Sequence, residues 1–486
     1  MRLHRLIALF VSLFGVVALA GGAWASASPE ITETQLDLTH TATGYLAVML
    51  FVVAYLVVMG EEVIKLRKSK PVLLAAGLIW GMIAFAYSQH GLPHVAEAAM
   101  RHNILEYAEL FLFLLVAMTY VNAMEERLVF QALRSWLVRS GFNYRMMFWM
   151  TGILAFFISP VADNLTTALL MCAVLLAVGQ ESPRFVSLGC VNVVVAANAG
   201  GAFSPFGDIT TLMVWQKGVV DFWTFFHLFI PSAVTFLLPA AVMHFFVPQG
   251  APAQSDEQVF VKRGGLVIIG LFLATIATAV GFHNFLHLPP VAGMMMGLAY
   301  LKFYSFYLRK TFGNQQSRRA IARRLGREVT DEDLGGVVPF DSFNAVARAE
   351  WDTLLFFYGV ILCVGGLGMI GYLAWISEAM YAGWGPTAAN IAVGVLSAVI
   401  DNIPIMYAVL TMQPQMDLGQ WLLVTLTAGV GGSLLSIGSA AGVALMGQSR
   451  GRYTFFTHLR WTPVIALGYA GGIATHFVLN AHFFKP

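Results

Sequence analysis

Charged residues are scarce in this chain of 486 residues, where Asp, Glu, Lys and Arg together make up only 11%. Soluble domains carry roughly a quarter, so a single soluble core is excluded. Cysteine is rarer still: Cys172, Cys190 and Cys363 lie in apolar stretches without paired spacing, which argues against a disulfide framework or a thiolate metal site. The net charge of +2 gives no case for nucleic-acid binding, and the 12 histidines are too dispersed for a metal cluster.

Apolar residues dominate instead, at 58% of the chain, and the mean hydropathy is +0.73. A membrane-spanning helix needs about 20 predominantly apolar residues. This composition therefore predicts an all-α polytopic membrane protein. Apolar runs long enough to span lie near 41–60, 72–88, 104–121, 186–215, 222–246, 265–282, 289–308, 353–373, 421–447 and 461–482.

The N-terminal segment resembles a targeting signal. Arg2 and Arg5 precede an apolar run, and a small-residue pattern, Ala25-Ser26-Ala27, follows it. A basic start, a short apolar run and small residues at its end are typical of a signal peptide. We therefore predict a cleaved signal peptide over 1–27, with an uncleaved short span as the alternative.

The most informative motif is an Asp-Asn dipeptide that occurs twice, as Asp163-Asn164 and as Asp401-Asn402, each beside a proline in an apolar segment. A carboxylate at membrane depth is costly and indicates function, with a bound cation as one possible partner. The alternative is a structural role, in which the carboxylate caps the N-terminus of a helix. The repetition of the motif predicts an internal duplication with one site built from both halves.

The two Asp-Asn segments, 146–179 and 387–412, also contain a proline in mid-segment. The second is too short to cross a membrane twice. Irregular backbone at this depth is tolerated where it lines a polar cavity. We therefore predict that both segments are re-entrant hairpins.

Basic residues between the spans set the expected topology. They cluster in 65–70, 127–145, 262–263, 309–327 and 450–460, which follow the odd-numbered apolar runs. Positive charge favours the cytoplasmic side, so all of these loops, including a long one over 309–350, are predicted to be cytoplasmic. The first hairpin then enters from the cytoplasm and the second from outside.

The chain thus divides into two predicted inverted repeats, 41–246 and 265–482, of five spans and one hairpin each. A glycine pair supports the match, because Gly200-Gly201 and the later Gly207 recur as Gly431-Gly432 and Gly438 at the same spacing. Inverted repeats with interrupted helices in corresponding places mark a binding site near the bilayer midplane.

The interrupted helices and the hairpins supply carboxylate, amide and hydroxyl oxygens, and breaks in a helix free backbone carbonyls. Hard oxygen ligands suit a small cation such as Na+ or Li+, with Asp163 and Asp401 as its main ligands. Glu109 and Asp352 are predicted to lie on a proton or ion route, although an interfacial ion pair competes with that role at Asp352. The residues predicted to bind the cation or the proton are Asp163, Asn164, Thr166, Asn198, Asp208, Thr210, Thr211, Ser397, Asp401, Asn402, Ser436 and Ser439.

These motifs resemble the NhaD-type sodium/proton antiporters of the ion transporter superfamily. The similarity is carried by the segments 159–167, 198–201, 207–211, 401–402 and 432–439. The resemblance implies a homodimer in a bacterial inner membrane, with membrane lipids around it and a scaffold part and a mobile transport part in each copy. It also implies exchange of Na+ or Li+ for protons by alternating access, without a cofactor.

Elementary chemistry leads to the same mechanism, because one carboxylate can hold either a proton or a sodium ion, and competition at an alternately exposed site is sufficient for exchange. Two transporters of the same architecture remain as alternatives: a sodium-coupled anion or dicarboxylate symporter and an arsenite exporter. An intramembrane aspartyl protease using Asp163 and Asp401 is disfavoured, because the Gly-x-Gly-Asp motif is absent before Asp208. A passive channel is a further alternative.

Overall fold

The computed structural model describes residues 35–251, 258–324 and 342–484, and the regular secondary structure in these ranges is helical. The predicted signal peptide, 1–27, lies outside the described residues.

The helices of the first half lie between Ala42 and His244. They are α1 (Ala42–Met59), α2 (Glu61–Ile64), α3 (Ser69–Gln89), α4 (Pro93–Glu126), α5 (Val129–Arg139), α6 (Tyr144–Ala162), α7 (Asn164–Val178), α8 (Pro183–Gly201), α9 (Ile209–Gln216), a 3-10 helix (Phe222–Leu228) and α10 (Phe229–His244).

The helices of the second half begin at Gly265. They are α11 (Gly265–Leu286), α12 (Pro290–Arg324), α13 (Ser342–Ala347), α14 (Trp351–Ile370), α15 (Tyr372–Ser377), a π-helix (Glu378–Ala382), α16 (Pro386–Leu396), α17 (Asn402–Met412), α18 (Leu418–Gly431), α19 (Ala440–Gln448), α20 (Phe455–Leu459), α21 (Thr462–Leu479) and a 3-10 helix (Ala481–Phe483).

Long apolar helices are the main elements of the fold. Within the described ranges, nine helices have the length and the apolar composition needed to cross a membrane. They are α1, α3, α4, α6, α8, the continuous Phe222–His244 segment, α11, α14 and α21. The predicted class, an all-α polytopic membrane protein, is confirmed.

Two helices extend beyond the predicted spans. Helix α4 runs over Pro93–Glu126, whereas the apolar run predicted only 104–121. Helix α12 continues to Arg324, so the first part of the predicted 309–350 loop is one continuous helix with the span before it. The reason is general: an apolar run marks the part of a helix that lies in the bilayer, and helical hydrogen bonding continues into polar sequence.

Helix breaks occur where the motifs predicted them. The run 186–215 is split into α8 and α9, and the run 421–447 into α18 and α19. Asp163 separates α6 from α7, and residues 397–401 separate α16 from α17. The interruption of both helices at the glycine pairs is therefore confirmed.

The arms of the two predicted hairpins differ in length. Helices α16 and α17 have 11 residues each, about 16 Å, which is too short to cross the hydrocarbon core. Helix α6 has 19 residues, about 28 Å, which is long enough to cross it. The first predicted hairpin is therefore longer on one side than the re-entrant interpretation expects.

Glycines allow the Asp-Asn segments to pack closely on the interrupted helices. A Cβ atom on Gly200 of α8 would lie 2.2 Å from the carbonyl oxygen of Phe156 in α6. A Cβ atom on Gly431 of α18 would lie 2.0 Å from the carbonyl oxygen of Gly394 in α16. Backbone therefore meets backbone at both places, which brings the two Asp-Asn dipeptides next to the breaks in α8–α9 and α18–α19.

Candidate ion-binding site

Three aspartates line one cavity of about 100 Å³, which we call the carboxylate cavity. Asp163 lies between α6 and α7, Asp208 between α8 and α9, and Asp401 between α16 and α17. Asn164 and Asn402, the second residues of both dipeptides, line the same cavity. The tertiary structure thus brings both Asp-Asn motifs and one interrupted helix to one place.

Asp163 adopts a backbone conformation that few residues other than glycine tolerate, with φ 60° and ψ 160°. Such a conformation costs on the order of 1–3 kcal/mol and is concentrated at functional sites. Two hydrogen bonds offset part of that cost: the Thr166 amide donates to Asp163 Oδ1 at 2.8 Å, and Thr166 Oγ1 donates to Oδ2 at 2.9 Å. The carboxylate therefore caps α7 and also faces the cavity.

Asp401 has a similar position in the second motif. Its carboxylate accepts a hydrogen bond of 3.2 Å from the Ile403 amide and so caps α17. Its own backbone amide donates to the hydroxyl of Tyr55 in α1 at 3.1 Å. Capping and cavity lining occur together at both aspartates, so the two interpretations of the sequence do not exclude each other.

Asp208 connects the two motifs. Asn164 Nδ2 donates to Asp208 Oδ2 at 3.1 Å, and Asn402 Nδ2 donates to the same oxygen at 3.0 Å. The other oxygen, Oδ1, accepts from the Thr210 amide at 3.2 Å. The side-chain amides of two dipeptides that are distant in sequence therefore converge on one carboxylate oxygen of a residue that is only 5% exposed.

Asn198 continues this network into the second half of the chain. Its Oδ1 accepts from Asn164 Nδ2 at 3.1 Å. Its Nδ2 donates to Ser433 Oγ at 2.9 Å and to Ser439 Oγ at 3.0 Å. The two interrupted helices are thus joined through one buried amide.

Several relatives of this chain are named as sodium/proton antiporters. The chain is 62% identical over 461 residues to "Na(+)/H(+) antiporter NhaD" of Alkalimonas amylolytica, an alignment that covers 95% of this chain and 94% of the relative. It is 59% identical to the Vibrio cholerae protein of the same name, over 99% of both chains. The chain belongs to the NhaD family.

More distant matches agree with this membership of the NhaD family. A family model described as "Citrate transporter" (CitMHS) matches residues 71–309 and 340–429. "Sodium/proton antiporter 1" of Arabidopsis thaliana is 32% identical over 90% of this chain and 73% of its own length. These names describe transporters and not enzymes, so the predicted absence of an enzymatic activity agrees with them. The family predicted from the Asp-Asn motifs is confirmed.

In this NhaD family member, the hydroxyl groups of several predicted ligands donate hydrogen bonds to other groups of the protein. Thr211 Oγ1 donates to the carbonyl oxygens of Ser204 and Asp208. Ser397 Oγ donates to the Ala428 carbonyl at 2.8 Å, and Ser436 Oγ donates to the sulfur of Met446. These three hydroxyls bond to backbone carbonyls or to a neighbouring side chain, and no hydrogen bond joins them to the carboxylates of the three aspartates in this structure.

Thr210 differs from these three residues. Its backbone amide donates to Asp208 Oδ1, and its buried Oγ1 also interacts with that carboxylate. Thr166 also contacts an aspartate, because its Oγ1 donates to Asp163 Oδ2, and it lines the carboxylate cavity. Of the predicted hydroxyl ligands, Thr166 and Thr210 are therefore the ones whose hydroxyls contact an aspartate carboxylate in this structure.

Glu109 and Asp352 lie away from the carboxylate cavity. Glu109 lines a second cavity of about 700 Å³, together with Glu106, Lys217 and Tyr407, which we call the Glu106 cavity. Asp352 accepts a hydrogen bond from Ser69 Oγ, at the start of α14. The structure therefore places the two predicted route residues in different surroundings.

Sequence reasoning missed Tyr55, Lys68 and Glu350. Lys68 and Glu350 both line the carboxylate cavity, and Tyr55 contacts the backbone of Asp401. The two charged residues lie in segments predicted to be cytoplasmic loops, where charge is common and carries no signal. Tyr55 lies in an apolar span, where a tyrosine is equally unremarkable.

Proposed function

We propose that this protein exchanges Na+ or Li+ for H+ across a bacterial inner membrane by alternating access. The observation that carries the proposal is the convergence of Asn164 and Asn402 on Asp208, in a cavity also lined by Asp163 and Asp401. Carboxylate, amide and hydroxyl oxygens are the ligands that small hard cations prefer. The bacterial relatives named as Na+/H+ antiporters support the same function.

The chemistry of the site allows exchange without a resident cofactor, with the ions as substrates. A carboxylate neutralised by Na+ or by H+ is far less costly at membrane depth than a free one. Asp163, Asp208 and Asp401 would therefore hold one or the other, and each binding event would exclude its competitor. The side-chain amides of Asn164 and Asn402 keep Asp208 solvated by fixed dipoles while the occupant changes.

We also propose that the chain is built from inverted repeats, 41–246 and 265–482. Matching contacts support this. Ser159, four residues before Asp163, donates to the Ala197 carbonyl at 2.6 Å. Ser397, four residues before Asp401, donates to the Ala428 carbonyl at 2.8 Å.

The re-entrant hairpins and the division into scaffold and transport parts belong to the same proposal. The short arms α16 and α17 support a hairpin in the second repeat. The transport part would comprise the two hairpins with the interrupted helices α8–α9 and α18–α19, because these elements carry the network around Asp208. We further propose that two copies form a homodimer, which a mass measurement in lipid nanodiscs would test.

A sodium-coupled symporter of citrate or another carboxylate is the second candidate, favoured by the description of the matching family model. Among the described residues that line the carboxylate cavity, Lys68 is the one positively charged side chain, whereas three aspartates and Glu350 are acidic. The excess of negative charge repels an anionic substrate. Cation exchange is therefore the better supported of the two.

The proposal is tested by a pH-gradient dequenching assay in proteoliposomes, with Na+, Li+, K+ and a dicarboxylate added in turn. We expect dequenching by Na+ or Li+ in the wild type and its loss in Asp163→Asn, because a neutral amide cannot exchange a proton for a cation. Asp221→Asn, at an exposed residue outside the cavity, is the matched control and keeps wild-type exchange. Wild-type rates in a folded Asp163→Asn protein, or uptake of the dicarboxylate instead, would contradict the proposal.

A further inference from the structure

Glu106 lies at the centre of a polar cluster that joins three helical elements. Its carboxylate forms an ion pair with Lys217, which follows α9, and contacts His102 Nε2 at 2.9 Å within α4. Its other oxygen, Oε2, accepts from the hydroxyl of Tyr407 in α17 at 2.9 Å. The same hydroxyl lies 2.9 Å from Asn103 Oδ1. We call these five residues the Glu106 cluster.

The helices joined by this cluster also carry the aspartates. Asp208 caps the N-terminus of α9, and Lys217 follows its last residue. Asp401 caps α17, which carries Tyr407 farther along. Helix α4, by contrast, packs mainly against α3, α12, α13 and α14. Glu106 therefore links α4 to the far end of α9 and to the middle of α17, the two short helices whose N-termini hold Asp208 and Asp401.

A thin apolar layer separates the Glu106 cavity from the carboxylate cavity. Four helices, α4, α9, α14 and α17, line both cavities. Their residues on the carboxylate side are Phe113, Leu212, Phe357 and Ile403. Their residues on the Glu106 side are Leu110, Met213, Ile361 and Tyr407. Each pair is one to four residues apart, so the layer is about one helical turn, or roughly 5 Å, thick.

The two cavities also face opposite predicted sides. Lys68, Asn122 and Glu350 line the carboxylate cavity and lie at ends predicted to be cytoplasmic. His102 and Gln413 line the Glu106 cavity and lie at ends predicted to be external. An ion bound by the aspartates would therefore have its open path to the cytoplasm, with the Glu106 cluster and the apolar layer between it and the outside.

We propose that Glu106, through Lys217 and Tyr407, is the residue that holds the external gate closed. This inference rests on the proposed function. In the outward-open state α9 and α17 would move relative to α4, and the ion pair and the tyrosine contact would separate. Glu106 is thus a positioning residue: it contacts no transported ion and acts on Asp208 and Asp401 through the helices that carry them.

A thiol placed behind the apolar layer tests the gate. Leu114 lines the carboxylate cavity and is 8% exposed, so Leu114→Cys reports access through the layer to a membrane-impermeant thiol reagent added outside. The native Cys172, Cys190 and Cys363 are buried, and the labelling of the wild type is subtracted. We expect external labelling to rise roughly threefold to tenfold in Glu106→Gln and Lys217→Gln, the effect of losing a part-exposed ion pair and its hydrogen bonds.

The matched control is Arg101→Gln, which breaks an exposed ion pair with Glu97. Both residues of this pair lie in α4, so the pair does not connect α4 to another helix. It is expected to leave external labelling unchanged. Tyr407→Phe, which keeps the ring, provides a second test if the charge variants do not fold. The charge-swapped double variant Glu106→Lys with Lys217→Glu is expected to return labelling toward the value of Leu114→Cys alone, which would show that the attraction between the two side chains, and not either residue by itself, keeps the layer closed.

Equal external labelling in Glu106→Gln, Lys217→Gln, Tyr407→Phe and the control would overturn the gate. Labelling requires no transport, so it is measured in the same vesicles independently of cation exchange. If the wild type showed no cation exchange, the proposed function would be contradicted, but the labelling of the variants could still be compared. Normal exchange with unchanged labelling would contradict the gate alone.

Discussion

Asp208 is the carboxylate with the most contacts to the rest of the site. One of its oxygens accepts from Asn164 and Asn402, and the other accepts from the Thr210 amide. Fixed amide dipoles stabilise a buried carboxylate without neutralising it. The asparagines of the two motifs therefore tune an aspartate that belongs to neither motif.

At this scale we predict that Asn402→Ala weakens cation binding more than it slows turnover. The variant removes a hydrogen bond of 3.0 Å to Asp208, and hydrogen bonds to charged groups contribute about 1.5–3 kcal/mol. The apparent affinity for Na+ is expected to fall about tenfold or more. Sodium titrations of exchange in proteoliposomes measure this change, and Asn344→Ala, at an exposed residue, is the control. An unchanged apparent affinity would remove Asn402 from the site.

Short helices set end to end are the units of this fold around the aspartates. Helices α7, α9, α17 and α19 each begin at an Asp or Ser whose side chain accepts from the backbone of the first turn. Such caps satisfy amides that a break in the helix would otherwise leave unpaired. Close backbone contacts at Gly200 and Gly431 then hold the breaks together.

We predict that Gly200→Ala and Gly431→Ala destabilise the protein by similar amounts. In both variants the new Cβ would meet a carbonyl oxygen at 2.2 Å or less, and backbone cannot move aside as a flexible side chain can. Overpacking of this kind costs typically 1–3 kcal/mol. Thermal unfolding in detergent measures the loss.

The matched control is Gly81→Ala in α3, where a new Cβ meets no atom within 4 Å. Replacing this helical glycine is expected to leave the stability unchanged or to raise it by up to about 1 kcal/mol. If only one of the two packed glycines proved sensitive, the equivalence of the two helix contacts would fail.

The surface of the whole molecule suits a bilayer. Large apolar side chains such as Leu74, Phe85 and Leu266 are between 67% and 72% exposed. In water such a surface would promote aggregation, whereas in a bilayer it contacts apolar lipid tails. The basic loops predict its orientation in that bilayer.

We therefore predict the sidedness of two exposed positions in intact cells. His94→Cys, at the predicted external end of α4, is expected to react with an impermeant thiol reagent added outside. Arg67→Cys, in the predicted cytoplasmic loop before α3, is expected to react only after the membrane is permeabilised. Both positions are exposed, so the contrast reports sidedness and not burial. The reverse pattern would invert the topology and the direction of both cavities.

The sequence by itself determined the membrane class, the family and the places where helices break. These features are set by local sequence. The length of a span depends on the hydropathy of one stretch of chain, and a helix breaks because of the residues at the break, here Asp163, Gly200, Asp401 and Gly431. Local sequence also explains why the predicted span at α12 was too short: hydropathy marks only the apolar part of this helix, which continues into polar sequence.

Only the tertiary structure decided which polar groups meet. The hydroxyls of Thr211, Ser397 and Ser436 donate to backbone carbonyls or to a methionine sulfur. The side-chain amides of Asn164 and Asn402 both donate to Asp208. The tertiary structure also brought Lys68 and Glu350 to the carboxylate cavity and Lys217 to Glu106. The physical reason is that these contacts depend on how each helix is rotated and shifted against helices distant in sequence, and that is set by packing and not by composition.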